Sequence, residues 1–530
     1  MSYVLSLQRF VVGRIIREIK RKEGAIAMSD TQKEKKPCIS RLWLPLTIVT
    51  GLLNIFIPSV IGMYVCTVPL WARLVTAAAF VGAVVMLAVT APRPRRTAVI
   101  AGIVAVLVLA ASTLGCMLNP YFNSVSFRYS APSADGAESV TLQQAQEDME
   151  QLMFTLKRIH PAFIDETPAE VASAYDKAMA QLQADDDLTV DDVQRALQTT
   201  VSVLGDAHTN VYSSYTEPHY RDNGIELKSL GYSLTAVDGQ PLVDILRDKS
   251  ELFSYEAESW GMEMLRQNLS TSEGLRYLGY DLDSGVAFTY EREDGAVREC
   301  TYTAENFIPY DECVRLGEQY ISDDVQPAAE NCYEIDTDRD AAILVIASCT
   351  YDDAYRTLLH DLFTEIKQSG VSNLIIDLRG NGGGNSMVAN ELIRYLDVDS
   401  YQVDTYHHRL GFLMMEHDDG VIKNDRIEEL TFDGDVYLLT DSASFSSAML
   451  FALYFKDNGL GTLIGEAPGN APNSYGDITI FRMEETGLYL SVSTKQFFRP
   501  DTECTDLLVE PDVPCAGKDA MDKAFELIAG

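Results

Sequence analysis

NLIIDLRGNGGG, Asn373–Gly384, is the stretch on which the fold of this chain turns. Leu374–Leu378 is a short apolar run bounded by turn residues, the pattern of a buried strand. The Gly382–Gly384 triplet then predicts a turn, and the periodicity beyond it predicts a helix from about Ser386. DSASFSSAMLFALYFKDNG, Asp441–Gly459, repeats the plan. There the strand is Val436–Thr440, the turn is rich in serine, and the helix begins near Ser446. A helix start leaves backbone N–H groups unpaired, and a turn without side chains lets a carbonyl approach such donors, as an oxyanion hole requires. Ser446, at the mouth of the second helix, is placed like a nucleophile. Ser442, Ser444 and Ser447 have the simpler reading of turn and N-cap residues. The absence of a Gly-Lys-Ser/Thr after the glycines excludes a phosphate loop, and the spacing is not that of a dinucleotide fingerprint.

Read together, IIDLRGNGGG (Ile375–Gly384), SFSSAMLFA (Ser444–Ala452), KDNGLGTLIGEAPGNAPNSYGD (Lys456–Asp477), STKQFFRPD (Ser493–Asp501) and VEPDV (Val509–Val513) resemble the tail-specific, or C-terminal processing, serine peptidases, a family that includes the tricorn protease core. The resemblance runs from about Thr141 to Gly530. It implies an α/β, crotonase-like core of ββα units, a serine nucleophile that matches Ser446, peptide or protein substrates, and no cofactor or metal. Gly382, Gly383 and Ser447 are the implied oxyanion donors. Asn473, Ser474 and Tyr475 are expected along the substrate groove.

Two departures from the family pattern select the branch. The segment that holds a lysine base in Ser–Lys members reads Gly465–Ala471 here and contains none, and Met449 stands where an acidic residue often follows the serine. Lys495, on a later strand, is the candidate substitute base. The histidine-type branch supplies a better candidate in SVLGDAHTNVY, where His208 follows a helix read over Thr189–Leu204 and stopped by Gly205. An imidazole can take a serine proton near neutral pH. Ala207 replaces the serine that precedes the histidine in the tricorn core. By the same resemblance, Glu503 or Asp506 is the expected orienting carboxylate. The rival reading is a non-catalytic protein on the same fold that binds peptides or hydrophobic ligands.

The 530 residues carry a formal charge of −36, unevenly spread: 14 basic against 4 acidic residues up to Cys116, and 28 against 74 beyond it. So acidic a body argues against nucleic acid as a partner. Leu42–Val65, Leu70–Thr90 and Ala98–Leu118 are each long and apolar enough to cross a hydrocarbon core of about 30 Å. Basic residues precede the first run and lie between the second and third (Arg93, Arg95, Arg96). The positive-inside rule therefore predicts a multi-pass protein of the cell membrane with a cytoplasmic N-terminus and an extracytoplasmic body. Residues 1–27 read as a basic interfacial helix or as sequence upstream of a start at Met28. Of nine cysteines, six fall outside the membrane part (Cys300, Cys313, Cys332, Cys349, Cys504, Cys515), an even number that predicts disulfides in an oxidising compartment.

The expected organisation is a cytoplasmic basic N-terminus (1–41), three transmembrane helices (42–118), a linker (119–140), a helical subdomain (141–209), a mixed α/β region (210–334) and the peptidase core (335–530). Leu234–Leu242 in the mixed region looks like the closing strand of a reduced PDZ domain.

Overall fold

The computed structural model describes residues 40–91, 93–128, 130–214, 218–317, 330–418 and 420–530. Residues 1–27, read above as an interfacial helix or upstream sequence, lie outside them. Contacts divide the chain into two units, one of residues up to Ile55 with Pro69–Ala111, the other of Phe56–Val68 with Ser112–Gly530. Three helices, Leu42–Tyr64, Leu70–Thr90 and Pro94–Leu118, are long and apolar enough to cross a membrane by length and composition.

In the second unit the helical region consists of Leu142–Ile159, Ala169–Ala184 and Val190–Ser202. The first and third open on capping boxes, Thr141 with Gln144 and Thr189 with Asp192, each satisfying two backbone donors reciprocally. Their apolar stripes, among them Met149, Leu152, Leu156, Val193, Leu197 and Val201, bury against Phe481, Leu490 and Val492. Those three residues belong to a five-stranded antiparallel sheet of Asn210–Tyr212, Thr405–Leu410, Leu413–His417, Tyr475–Arg482 and Tyr489–Phe498.

The core sheet has six strands in the order Val513–Pro514, Thr462–Gly465, Asp435–Thr440, Asn373–Asp377, Ala341–Val345, Cys332–Asp336. All pair in parallel except the last, which is antiparallel to its neighbour and straddles the expected boundary at 335. The central strands are buried on both faces, as parallel strands must be. Leu374, Ile376 and Leu438 face a core completed by the helices Asp353–Ser369, Met387–Ile393 and Ser447–Asn458. Ile375, Leu439 and Ile464 face Ala520 and Ala524 of the final helix. Met449 is part of the first of these cores, so an acidic residue there would be buried without a partner.

Two expectations are corrected. Residues 119–140 are no free linker. Val125 N–H donates to the Ile480 carbonyl at 2.7 Å, Ala134 N–H to the Thr486 carbonyl at 3.1 Å, and the Tyr489 hydroxyl to the Ala131 carbonyl at 2.5 Å. The six outer cysteines are all unbridged; Cys313 and Cys349 serve as buried apolar side chains instead.

Candidate active site

The turn after the Asp435–Thr440 strand distributes its serines by role. Ser444 Oγ donates to the Leu378 carbonyl at 2.8 Å, Ser447 Oγ to the Gly384 carbonyl at 2.9 Å, and Ser442 Oγ to Glu263 at 3.1 Å. Ser446 makes no capping bond with its hydroxyl, although it stands at the N-cap of the Ser447–Asn458 helix. Its backbone is held at φ 56°, ψ −117°, a region that costs a non-glycine residue about 1–3 kcal/mol and persists only where the surroundings enforce it. The enforcing contact is a 2.6 Å hydrogen bond from Ser446 N–H to Oδ1 of the buried Asn470.

Gly383 lies against this serine. Its φ is 97°, and a Cβ there would fall 2.7 Å from Ser446 Cβ, 2.7 Å from the Phe445 carbonyl oxygen and 2.9 Å from Ser447 N. The expectation that Gly383 supplies an oxyanion donor needs correcting, since its N–H already donates to Asn381 Oδ1 at 2.8 Å. Its contribution is the missing side chain. No acceptor among the described residues takes the N–H of Gly382 or of Ser447.

His208 reaches the same place from the helical region. Its ring packs 4.6 Å, centroid to centroid, from that of Phe445, the residue before Ser446, and Phe445 in turn stacks on Trp260 at 4.0 Å. Across the other strand pair, a Cβ on Gly476 would sit 3.7 Å from His208 Nε2. Both ring nitrogens are buried and neither has a hydrogen-bond partner. Burial pushes the imidazole below its usual range, opposed by Asp206, the Tyr475 carbonyl and Asp477, so it is neutral at neutral pH and able to accept a proton.

The carboxylates beside His208 are not the two anticipated. Asp206 Oδ1 lies 4.0 Å from His208 Nδ1 and accepts the His208 backbone N–H at 2.9 Å. Asp206 Oδ2 contacts His160 Nε2 at 3.0 Å and accepts from Thr209 Oγ1 at 2.5 Å, with His160 and Asp206 both fully buried. Burial alone would raise this carboxyl, but the hydrogen bond and charge of His160, with His208 and Thr209, outweigh it and hold the group at about 2. Glu256 has the opposite fate: burial, reinforced by Asp206, pushes it up to about 8. Its two oxygens accept the N–H of Ala207 at 3.2 Å and of Ala471 at 2.7 Å. It thereby ties the loop of His208 to the loop of Asn470. Asp206, His208 and Glu256 bring ligand-type atoms within 4.8 Å of one another, enough to admit a cation, although these carboxylate oxygens already serve protein donors.

Glu503 and Asp506 are exposed on the tail that leads to the Val513–Pro514 edge strand, and their hydrogen bonds stay within that tail. They are not brought to His208. Lys495 Nζ pairs with Asp477 at 2.8 Å and sits 4.4 Å over the Tyr406 ring, an engaged cation rather than a base. Of the groove residues, Asn473 Oδ1 accepts the Arg499 N–H at 2.8 Å, Ser474 is buried, and the Tyr475 ring packs 4.7 Å from His160. Nothing in the local sequence marks His160, Glu256, Trp260 or Asn470 as members of the site. A local signal existed for Asp206 alone: an aspartate two residues before His208 and three before Thr209 has the spacing of a side chain that caps its own turn.

A parallel α/β core here sets a serine-bearing helix start against a glycine turn. Residues 340–515 match the family described as peptidase family S41. Mature CPAF complexed with lactacystin has the same fold, at 15% identity and a TM-score of 0.52, over 73% of this chain and 97% of that one. Mature CPAF gives 12% identity and the same TM-score over 73% and 96%. The photosystem II D1 C-terminal processing protease aligns at 14% identity over 74% and 98%, with a TM-score of 0.41.

Proposed function

We propose that this protein is a membrane-anchored serine endopeptidase with a crotonase-like catalytic core outside the cytoplasm, and that Ser446 and His208 do its chemistry. Ser446 Oγ attacks the scissile carbonyl while His208 takes its proton. The tetrahedral oxyanion is received by the N–H groups of Gly382 and Ser447. Collapse expels the amine, which takes the proton from the imidazolium, and a water deprotonated by His208 then releases the acyl group. Asp206, held anionic, orients and stabilises the imidazolium; its 4.0 Å gap to Nδ1 is the loose geometry common without substrate, and substrate binding tightens it. The Asn473–Tyr475 segment borders the groove.

One observation carries this reading: a serine kept in a strained conformation with an uncommitted hydroxyl, one residue from a ring against which a histidine with buried ring nitrogens packs. A fluorophosphonate probe tests it. The full chain is expected to label at Ser446, Ser446→Ala to lose the label, and His208→Ala to label and cleave peptides slower by orders of magnitude, with the double variant little worse than either single one. Absence of label on the folded chain would favour the non-catalytic binding protein.

A further inference from the structure

The hairpin of strands Thr405–Leu410 and Leu413–His417 belongs to the sheet that packs beside His208, yet its turn lies at the end of the third apolar helix. Gly411 occupies that turn at φ 60°, and a Cβ on it would fall 2.1 Å from the Met117 carbonyl oxygen and 3.3 Å from Leu118 Cα. The hairpin backbone therefore rests directly on the last turn of the Pro94–Leu118 helix. Phe412 and Leu413, at the tip, are 55% and 42% exposed. A similar apolar rim surrounds the end of the first helix, where Tyr64 (52% exposed) packs 5.6 Å from the ring of Phe127 (48%), itself 5.0 Å from that of Tyr121. Phe122 braces this second rim: its carbonyl accepts from Arg158 at 3.0 Å and its ring lies against Gly62. Asn123 completes the clamp by bonding both the N–H (3.0 Å) and the carbonyl (3.2 Å) of Val68.

Aromatic and apolar side chains standing in water at this level would be an aggregation liability, whereas at a headgroup boundary they are the expected belt. We propose that the Leu410–Leu413 turn is a bilayer-interface anchor: Phe412 and Leu413 insert among the headgroups of the membrane that the third helix leaves. The inference rests on the reading of that helix as a span.

The anchor is coupled to the catalytic relay by one buried guanidinium. Arg409, 3% exposed, donates from Nε to the Gly411 carbonyl at 2.8 Å, from Nη2 to the Lys157 carbonyl at 2.5 Å, and from Nη1 to the carbonyl of His160. His160 is the residue that bonds Asp206. Arg409 thus links the turn directly to the His160–Asp206–His208 group.

Depth-dependent quenching tests this on the full chain in phosphatidylcholine vesicles. Wild-type Trp43 and Trp71, inside the apolar helices, are the control: vesicles of brominated lipid should quench them, and the chain should resist carbonate extraction. In a Trp43→Phe/Trp71→Phe background, Phe412→Trp should add emission that lipids brominated near the headgroups quench strongly and aqueous iodide quenches weakly. Retention in carbonate with an added tryptophan open to iodide and untouched by bromine would overturn the anchor while leaving the spans intact. Release by carbonate, with unquenched Trp43 and Trp71, would instead overturn the spanning reading and the anchor with it.

Discussion

Glu256→Gln separates charge from hydrogen bonding at the join between the Ala207 and Ala471 loops. Glu256 is pushed from 4.5 to about 8 by burial and by Asp206, so the folded chain holds a proton that the unfolded chain has lost. The stability this represents is fully present below pH 4.5 and drains away as pH rises through about 8, at roughly 1.4 kcal/mol per pH unit. His208 and His408 are lowered by burial and act in the opposite sense, but only below their ordinary value of about 6.5. From pH 6.5 to 8 the Glu256 contribution amounts to about 2 kcal/mol. Glutamine keeps one acceptor for the two N–H groups of Ala207 and Ala471 and cannot ionise. The variant should therefore be destabilised by about 1–3 kcal/mol at pH 6.5 through the lost acceptor, yet show none of the further decline by pH 8. Hydrogen exchange of the peptides containing Ala207 and Ala471, corrected for the intrinsic rate at each pH, reads the opening free energy of these loops directly. Equal slopes in wild type and variant would mean that Glu256 is not the titrating group, and the description of it as a neutral tie between the loops would fail.

Gly383→Ala should leave the core folded but cut peptide hydrolysis by about 100-fold or more, since a Cβ 2.7 Å from Ser446 Cβ forces a shift of the order of an ångström at the nucleophile; near-normal turnover would show that the two turns are not in working contact. The rate of cleavage should rise with pH through a single ionisation below about 6.5, because burial lowers His208 and only the neutral ring accepts the serine proton. A rising limb centred near the ordinary lysine range would point to Lys495 instead. Thiol labelling of the denatured chain without reductant should modify all six outer cysteines, and protection of any pair would restore the disulfide expectation.

The strand–turn–helix units around Gly382–Gly384 and Ser446 were legible in the sequence because their signals are local. A continuous apolar run, a glycine or serine turn and a helical stripe each declare themselves within a dozen residues, and the observed strands Asn373–Asp377 and Asp435–Thr440 fall within one residue of the expected ones. The three apolar helices and the capped helices of the 142–202 region were legible for the same reason. What tertiary structure alone decided is which charges meet. Glu503 and Asp506 were chosen by position along the chain, but the tail that carries them runs over the surface, whereas Asp206, His160 and Glu256 converge from three separate segments on one buried imidazole. Whether a carboxylate there is held at about 2 or pushed to about 8 depends on burial and on partners from 46 or more residues away, as in the His160–Asp206 and Glu256–Ala207 pairs. Backbone periodicity is written in neighbouring residues; desolvation and Coulomb interaction follow distance in space, which only the folded chain defines.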